Sequence, residues 1–192
     1  SPAALDRMLA IEAEAGVRAT YNVVGRLLPE LRERIERGGH ALAFHSYDHD
    51  LGREQLGACR QVDYRLKGYR APQSRLTAEL RDAQLGWHNF EWLASSVSSL
   101  GFSVPKLENG LVKIPILLDD FDMHRHGRSF ADWRRRTIEA IRQHDFVAFS
   151  LHDCYAGHWL AGYAELLEEV KTMARLRTMD EVAAELFVAG AV

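Results

Sequence analysis

The sequence predicts an α/β domain built on a mostly parallel sheet or barrel. Three observations carry that expectation. Short β-rich runs alternate with helical runs along the chain, no linker or low-complexity tract divides them, and the residues with chemical potential fall where strand-like runs end. In such folds the chemistry gathers in loops at the C-terminal ends of the strands. The strands follow from apolar pattern alone, so their agreement with the chemistry-bearing positions is independent support.

Ala4 to Ala15 places Leu5, Met8, Leu9 and Ile11 on one helical stripe, stopped by Gly16. Arg18 to Val24 is short and β-rich. Leu27 to Arg37 is helical again and ends at Gly38-Gly39, and Ala41 to Phe44 is a brief apolar strand that runs directly into His45. A helix around Glu54 to Tyr64, a strand near Tyr69 and a helix from Thr77 to Leu85 follow, with Thr77 as N-cap after the Pro72 turn. Lys113 to Leu118 is a strand candidate that Pro115 marks as an edge or interrupted strand. Phe130 to Gln143 is helical, and Phe146 to Leu151 is a buried apolar strand. The chain closes with a helix from His158 to Ala174, a short strand near Leu176 and a helix from Asp180.

A chain of 192 residues, 47% hydrophobic and 27% charged, fits a single domain, 1–192, with a sizeable core. The formal net charge of -3, from 24 Lys+Arg against 27 Asp+Glu, does not suggest a broad electrostatic attraction to nucleic acid or anionic membrane. The basic run Arg134-Arg135-Arg136 lies in a helical pattern and reads as a solvated face. No apolar stretch approaches the ~20 residues that span a bilayer. No signal peptide is visible, but the first residue is Ser1 and not Met, so the compartment stays open, with the cytoplasm slightly favoured. Two cysteines make no disulfide framework. Cys59 reads as core, and Cys154, two residues after His152, is either a small buried filler or a reactive thiol.

Three constellations carry chemistry. His45-Ser46-Tyr47-Asp48-His49 sets two imidazoles four residues apart at a strand exit, a spacing from which both reach one metal ion; the plain alternative is two surface histidines in a polar loop. In it Asp48 is a supporting partner or a turn residue, and Ser46 caps the local backbone. Gly68-Tyr69-Arg70-Ala71-Pro72 holds an Arg at a strand end, where it can fix a carboxylate. Phe149-Ser150-Leu151-His152-Asp153 presents a His as general acid or base, or else as a loop histidine satisfied by a carbonyl.

Taken together and in order, these segments resemble the polysaccharide deacetylase family (NodB homology, carbohydrate esterase family 4), and the resemblance covers nearly all of the chain. Ala15 to Gly25 is similar to the family's second strand, Gly39 to Phe44 with His45 and His49 to its metal motif, Arg70-Ala71-Pro72 to its Arg-x-Pro, and Leu151-His152 to its final Leu-His. The resemblance implies a distorted (β/α) barrel, here expected to lack its opening strand, and hydrolysis of an N- or O-acetyl group on carbohydrate. It implies His45 and His49 as ligands of a divalent metal, Zn2+ foremost with Co2+, Ni2+, Mn2+ or Fe2+ as alternatives, and Ser46 as a brace for their loop. Arg70 would orient the catalytic carboxylate, Leu151 and Tyr69 would contact substrate, and His152 would protonate the leaving amine.

The family's opening Asp-containing motif should precede the helix at Ala4, and no residue here is assigned its base or its metal-binding Asp; by that count the chain is expected to be feeble or inactive. Between Arg-x-Pro and the final His the family carries tryptophan and aspartate. The nearest material here is Glu91-Trp92 and Asp119-Asp120-Phe121-Asp122, from which Asp120 is chosen as partner to His152, a solvated acidic loop being the alternative. His124 and His126 are read as exposed loop histidines. Trp87, Phe90, Trp92, Trp133 and Trp159 are stacking surfaces for sugar or, more simply, core and lid residues. Two other functions stay open beside the deacetylase: a hydrolase of small non-sugar amides, and an inactive family member that binds carbohydrate or a partner.

Overall fold

The computed structural model describes residues 2–77, 80 and 82–190. In chain order it contains α1 (Pro2–Ala15), β1 (Thr20–Val23), α2 (Leu28–Arg37), β2 (Ala41–Phe44), α3 (Glu54–Val62), β3 (Gly68–Arg70), α4 (Asp82–Trp87), β4 (Trp92–Ser96) and α5 (Val97–Leu100). There follow β5 (Lys106–Glu108), β6 (Leu111–Ile116), β7 (Leu118–Asp119), α6 (Phe121–His126), α7 (Phe130–Gln143), β8 (Phe149–Ser150), α8 (Ala156–Trp159), α9 (Tyr163–Met173) and α10 (Met179–Gly190). The chain forms two compact units, one of Ala19–Pro115 with Arg177–Val192, the other of Ser1–Arg18 with Ile116–Leu176.

The first unit is built on a sheet of order β1-β2-β3-β4-β6-β5. Strands β1 to β4 pair in parallel, with Val23 opposite Phe44, Phe44 opposite Tyr69 and Tyr69 opposite Leu93. Paired residues share a face, so Phe44, Tyr69 and Leu93 line one side while Ala43, Arg70 and Ala94 line the other. On the first side Phe44 and Tyr69 pack on Phe90 at 6.4 and 5.3 Å between ring centroids. A Cβ on Gly68 would strike the Trp92 ring, so only glycine lets β3 lie beside β4. The Trp92 indole donates to Asp180 at 2.6 Å and ties α10 to β4.

Two strands escape the sequence reading. Trp92–Ser96 carries no β-branched residue and so lacks the usual strand signal. Lys106–Glu108 forms an antiparallel hairpin with β6 across Asn109 (φ 53) and Gly110 (φ 75), the two left-handed positions that an Asn-Gly turn supplies. That dipeptide was the legible signal. Pro115 is tolerated because pairing with β5 stops at Lys113.

Other expectations are corrected at their ends. The strand expected over Phe146–Leu151 is reduced to Phe149–Ser150, and the expected helix from His158 is broken by a 3-10 turn at Leu160–Gly162. No strand forms near Leu176 among the described residues. Instead Thr178 caps α10 reciprocally: its hydroxyl accepts from Glu181 N at 3.3 Å, and Glu181 accepts from Thr178 N at 2.8 Å. Part of the helix expected over Thr77–Leu85 falls on residues 78, 79 and 81, outside the described residues.

In the second unit β7 and β8 pair in parallel, Leu118 with Phe149 and Asp119 with Ser150. Helix α1 is pinned to α9 by a buried hydrogen bond of 2.6 Å from the Tyr163 hydroxyl to Glu12. Arg134 of the basic run reaches Glu165 at 3.1 Å and Glu169 at 2.8 Å on α9.

The buried carboxylate of Asp63, after α3, anchors two arginines of the first unit. It accepts from Arg32 and from Arg65, whose Nε and Nη2 both lie at 3.1 Å. Burial alone would raise its pKa, but hydrogen bonds from Arg65 and the charge of Arg32 outweigh it and hold the carboxyl below its usual range. Asp63→Asn should therefore cost about 1–3 kcal/mol in denaturant unfolding at pH 7. Because the folded pKa is depressed, the contribution is present above the unfolded value of about 3.9 and is lost as pH falls through the folded one. The gap between wild type and variant should narrow steadily as pH falls below about 3.9; a gap that is unchanged across the acid range contradicts the assignment.

Candidate active site

In the sheet unit, β2 ends at Phe44 and delivers His45, whose backbone N donates to Val23 C=O at 2.8 Å. The ring is nearly buried, at 9% exposure, and its Nδ1 lies 3.1 Å from the Arg70 carbonyl. A carbonyl can only accept, so Nδ1 holds the proton and Nε2 keeps the lone pair, the tautomer of a metal-binding imidazole with its orienting carbonyl. The His49 ring lies 4.9 Å away at 63°. Two imidazoles on one tetrahedral ion at ~2.0 Å stand about 5 Å apart between centroids.

The turn joining them is held open by strain and anchors. Ser46 (φ 58) and His49 (φ 72) both adopt left-handed conformations that side chains disfavour. Gly25 N donates to Ser46 C=O at 2.8 Å, and Arg26 N donates to Tyr47 C=O at 3.0 Å. A Cβ on Gly25 would lie 3.2 Å from Tyr47 Cα, which favours glycine there. The buried side chain of Gln55 accepts from Tyr47 N at 3.0 Å and Asp48 N at 3.1 Å. Bracing thus falls to Gln55 and backbone, whereas the buried Ser46 hydroxyl has no hydrogen-bond partner among the described residues. Gln55 carries no sequence signal: a polar residue in the first turn of a helix is ordinary.

Arg70 ends β3, buried at 6% exposure, and its carbonyl is what orients His45. Tyr69 is a correction. As its neighbour it points to the opposite face of the sheet, is fully buried against Phe90, and is a core residue with no surface to offer a substrate.

In the other unit, Asp120 follows β7 and is fully buried. One carboxylate oxygen lies 2.5 Å from His152 Nδ1, and the other accepts from His152 N at 2.7 Å and from Trp159 Nε1 at 3.0 Å. Asp119 accepts from the Ser150 hydroxyl at 2.8 Å and from Phe121 N at 2.9 Å. The carboxylate fixes the proton on His152 Nδ1 and so presents Nε2 for proton transfer. Asp119, Asp120 and His152 offer ligand atoms within 4.8 Å of one another, the one such group of three among the described residues. A 2.5 Å Nδ1–Oδ1 separation is a hydrogen bond, too short for two ligands of one ion, so the group reads as an acid–base dyad. Leu151 is half-buried between Ser150 and His152.

Asp122 is taken by Arg136, Arg128 and His126. Glu91 pairs with Lys67. Phe90, Trp92, Trp133 and Trp159 are core, and Trp87 is exposed at 83%. Cys59 is buried as expected, with its thiol pushed up to about 12 by burial. Cys154 is exposed and not a buried filler; partial burial and then Asp153 and Asp120 raise its thiol, which argues against a reactive thiolate.

No protein-family model matches the chain, and no curated protein matches it. Solved structures do. A Mycobacterium smegmatis protein assigned as a polysaccharide deacetylase superposes with TM-score 0.80 at 23% identity, over 97% of this chain and 78% of its own. A pseudoenzyme of carbohydrate esterase family 4 from Bacillus anthracis matches with TM-score 0.67 at 15% identity, over 94% of this chain and 60% of its own. A mutant of that pseudoenzyme has restored enzymatic activity. The peptidoglycan deacetylase PdaC of Bacillus subtilis matches with TM-score 0.65 at 16% identity, over 100% of this chain and 88% of its own. The chain has the fold of the polysaccharide deacetylases, a mixed α/β fold on a parallel sheet.

Gln55 gives a direct check on the His45–His49 turn. Gln55→Ala should raise hydrogen exchange at the Tyr47 and Asp48 amides by at least about tenfold, the loss of one hydrogen bond, while distant amides of α3 stay protected. Unchanged exchange at both amides would show that the turn does not depend on Gln55.

Proposed function

We propose that this chain is a metal-dependent hydrolase that removes acetyl groups from N- or O-acetylated carbohydrate. The observation that carries the proposal is His45: its Nδ1 is committed to the Arg70 carbonyl, its Nε2 is left basic, and His49 lies beside it. The fold, shared with polysaccharide and peptidoglycan deacetylases, supports the same reading.

The donor set fits a divalent ion, since neutral imidazoles suit zinc foremost and Co2+, Ni2+, Mn2+ or Fe2+ in turn. Such an ion, when bound, polarises an acetyl carbonyl and lowers the pKa of water. His45 and His49 would hold it. Arg70, at the exit of β3 beside His45, would orient a carboxylate base. Leu151 contacts the acetyl methyl. His152 donates from Nε2 to the departing nitrogen or oxygen, and Asp120 keeps the proton on Nδ1 and stabilises the ring while it is cationic. Asp120→Asn should accordingly lower turnover by about a hundredfold or more while leaving the metal in place.

A second reading, a family member that binds carbohydrate without turnover, is favoured by the likeness to the Bacillus anthracis pseudoenzyme and by a ligand set of only two assigned histidines. Metal analysis and acetate release decide between them. Wild type should hold metal, His45→Ala and His49→Ala should lose it, and His152→Ala should keep it without turnover. Equal metal in all four removes the metal assignment. Chitin oligomers, peptidoglycan fragments and cyclic ureides assayed side by side should show release from the acetylated sugars; turnover of ureides alone would make the chain a small-amide hydrolase, and no turnover with metal retained would favour the binding role.

A further inference from the structure

The Asp120–His152 dyad is flanked on both sides of the sequence by rings that the proposed reaction does not use, with Phe121, His124 and His158 exposed and Tyr155 half-buried. Phe121 follows Asp120 directly and is 44% exposed. One turn along α6, His124 is exposed and stacks on Tyr155 with centroids 4.7 Å apart at 21°. Phe121 meets His124 at 6.0 Å and Tyr155 at 6.1 Å, with interplanar angles of 39° and 43°. His158 stands 6.2 Å from His124, and Tyr155 lies edge-on to His152 at 5.7 Å. The rings thus run as one patch from the dyad outward, within a single unit of the chain.

The patch is held rigidly. Tyr155 N donates to His152 C=O at 3.0 Å, so the ring is fixed to the catalytic residue by a short turn. Helix α6 is anchored by the buried Met123, by Asp122 paired to Arg136 and Arg128, and by a left-handed Gly127 that ends it. Such rigidity is what a binding surface requires and what scattered surface aromatics lack.

Its chemistry is amphipathic. Each ring offers a π face and most carry a polar edge, the phenol of Tyr155 and the imidazole nitrogens of His124 and His158. A dry apolar ligand would need an enclosed pocket, and an anion would need a cluster of uncommitted cations, whereas here Arg128 and Arg136 are engaged by Asp122 and, of the arginines here, only Arg125 of α6 has no ion pair among the described residues. The apolar face of a pyranose lies on such rings, and its equatorial hydroxyls reach their polar edges.

We propose that Tyr155, backed by His124 and flanked by Phe121, is a stacking platform for a sugar ring of the substrate next to the residue that His152 protonates. This rests on the carbohydrate reading above and adds a binding site to it. Tyr155 is then a binding residue and not a catalytic one.

The test measures binding of a soluble β-1,4-linked N-acetylglucosamine tetramer to the full chain by calorimetry, with acetate release followed separately. Tyr155→Phe should bind within about twofold of wild type, and Tyr155→Ala should bind about tenfold more weakly, the loss of one ring stack. His124→Ala should fall between them, with thermal unfolding showing that each variant is folded. If Tyr155→Ala fails to fold, Phe121→Ala with His124→Ala carries the same expectation. Wild-type affinity in the alanine variants overturns the platform, as does a Tyr155→Phe variant as weak as Tyr155→Ala. Acetate release without Tyr155-dependent binding sinks the platform and leaves the deacetylase standing; Tyr155-dependent binding without acetate release does the reverse.

Discussion

The parallel pairing of β1, β2 and β3 is the constraint on which the His45–His49 turn depends. Because Val23 lies opposite Phe44 and Phe44 opposite Tyr69, the next residue of β2 places its backbone N against the Val23 carbonyl and its ring against the carbonyl of Arg70. A one-residue slip of β3 would put Arg70 where Tyr69 packs against Phe90 and take its carbonyl away from His45. The sheet therefore sets not only where His45 stands but which of its nitrogens holds the proton. The left-handed Ser46 and His49 add conformational cost to a turn that Gln55 and two backbone hydrogen bonds repay.

Asp120 plays the corresponding part in the other unit. A fully buried carboxylate needs partners, and it has three donors: the ring and backbone of His152 and the indole of Trp159. Those donors come from a strand exit and a following helix, so the geometry of the dyad is inseparable from the packing of Trp159. The same exits carry Phe121 and Tyr155, so the rings of the proposed platform are positioned by the elements that position Asp120 and His152.

Much of this was legible in residue order. The alternation of elements and the strand running into His45 follow from short patterns whose physical basis is local, whereas Asp120 as the partner of His152 came from the family resemblance, the two residues lying 32 apart. What was missed was missed for local reasons too. Trp92–Ser96 has no β-branched residue, the Asn109-Gly110 turn was overlooked despite its two left-handed positions, and the strand expected at Leu176 gave way to a capping box at Thr178. Gln55 and Tyr69 needed coordinates: a glutamine's hydrogen bonds and the face a three-residue strand presents are set by tertiary packing. The sequence pattern around Tyr69-Arg70 could not say which of the two faces the core.

The central claim is that acetyl transfer to water in this protein depends on an ion held by His45 and His49. Acetate release from an N-acetylated oligosaccharide, followed before chelation, after chelation and after Zn2+ is restored, tests it most directly. The account predicts release that is lost with the metal and returns with it in wild type but not in His45→Ala. Release that persists at full rate in the chelated protein would contradict it.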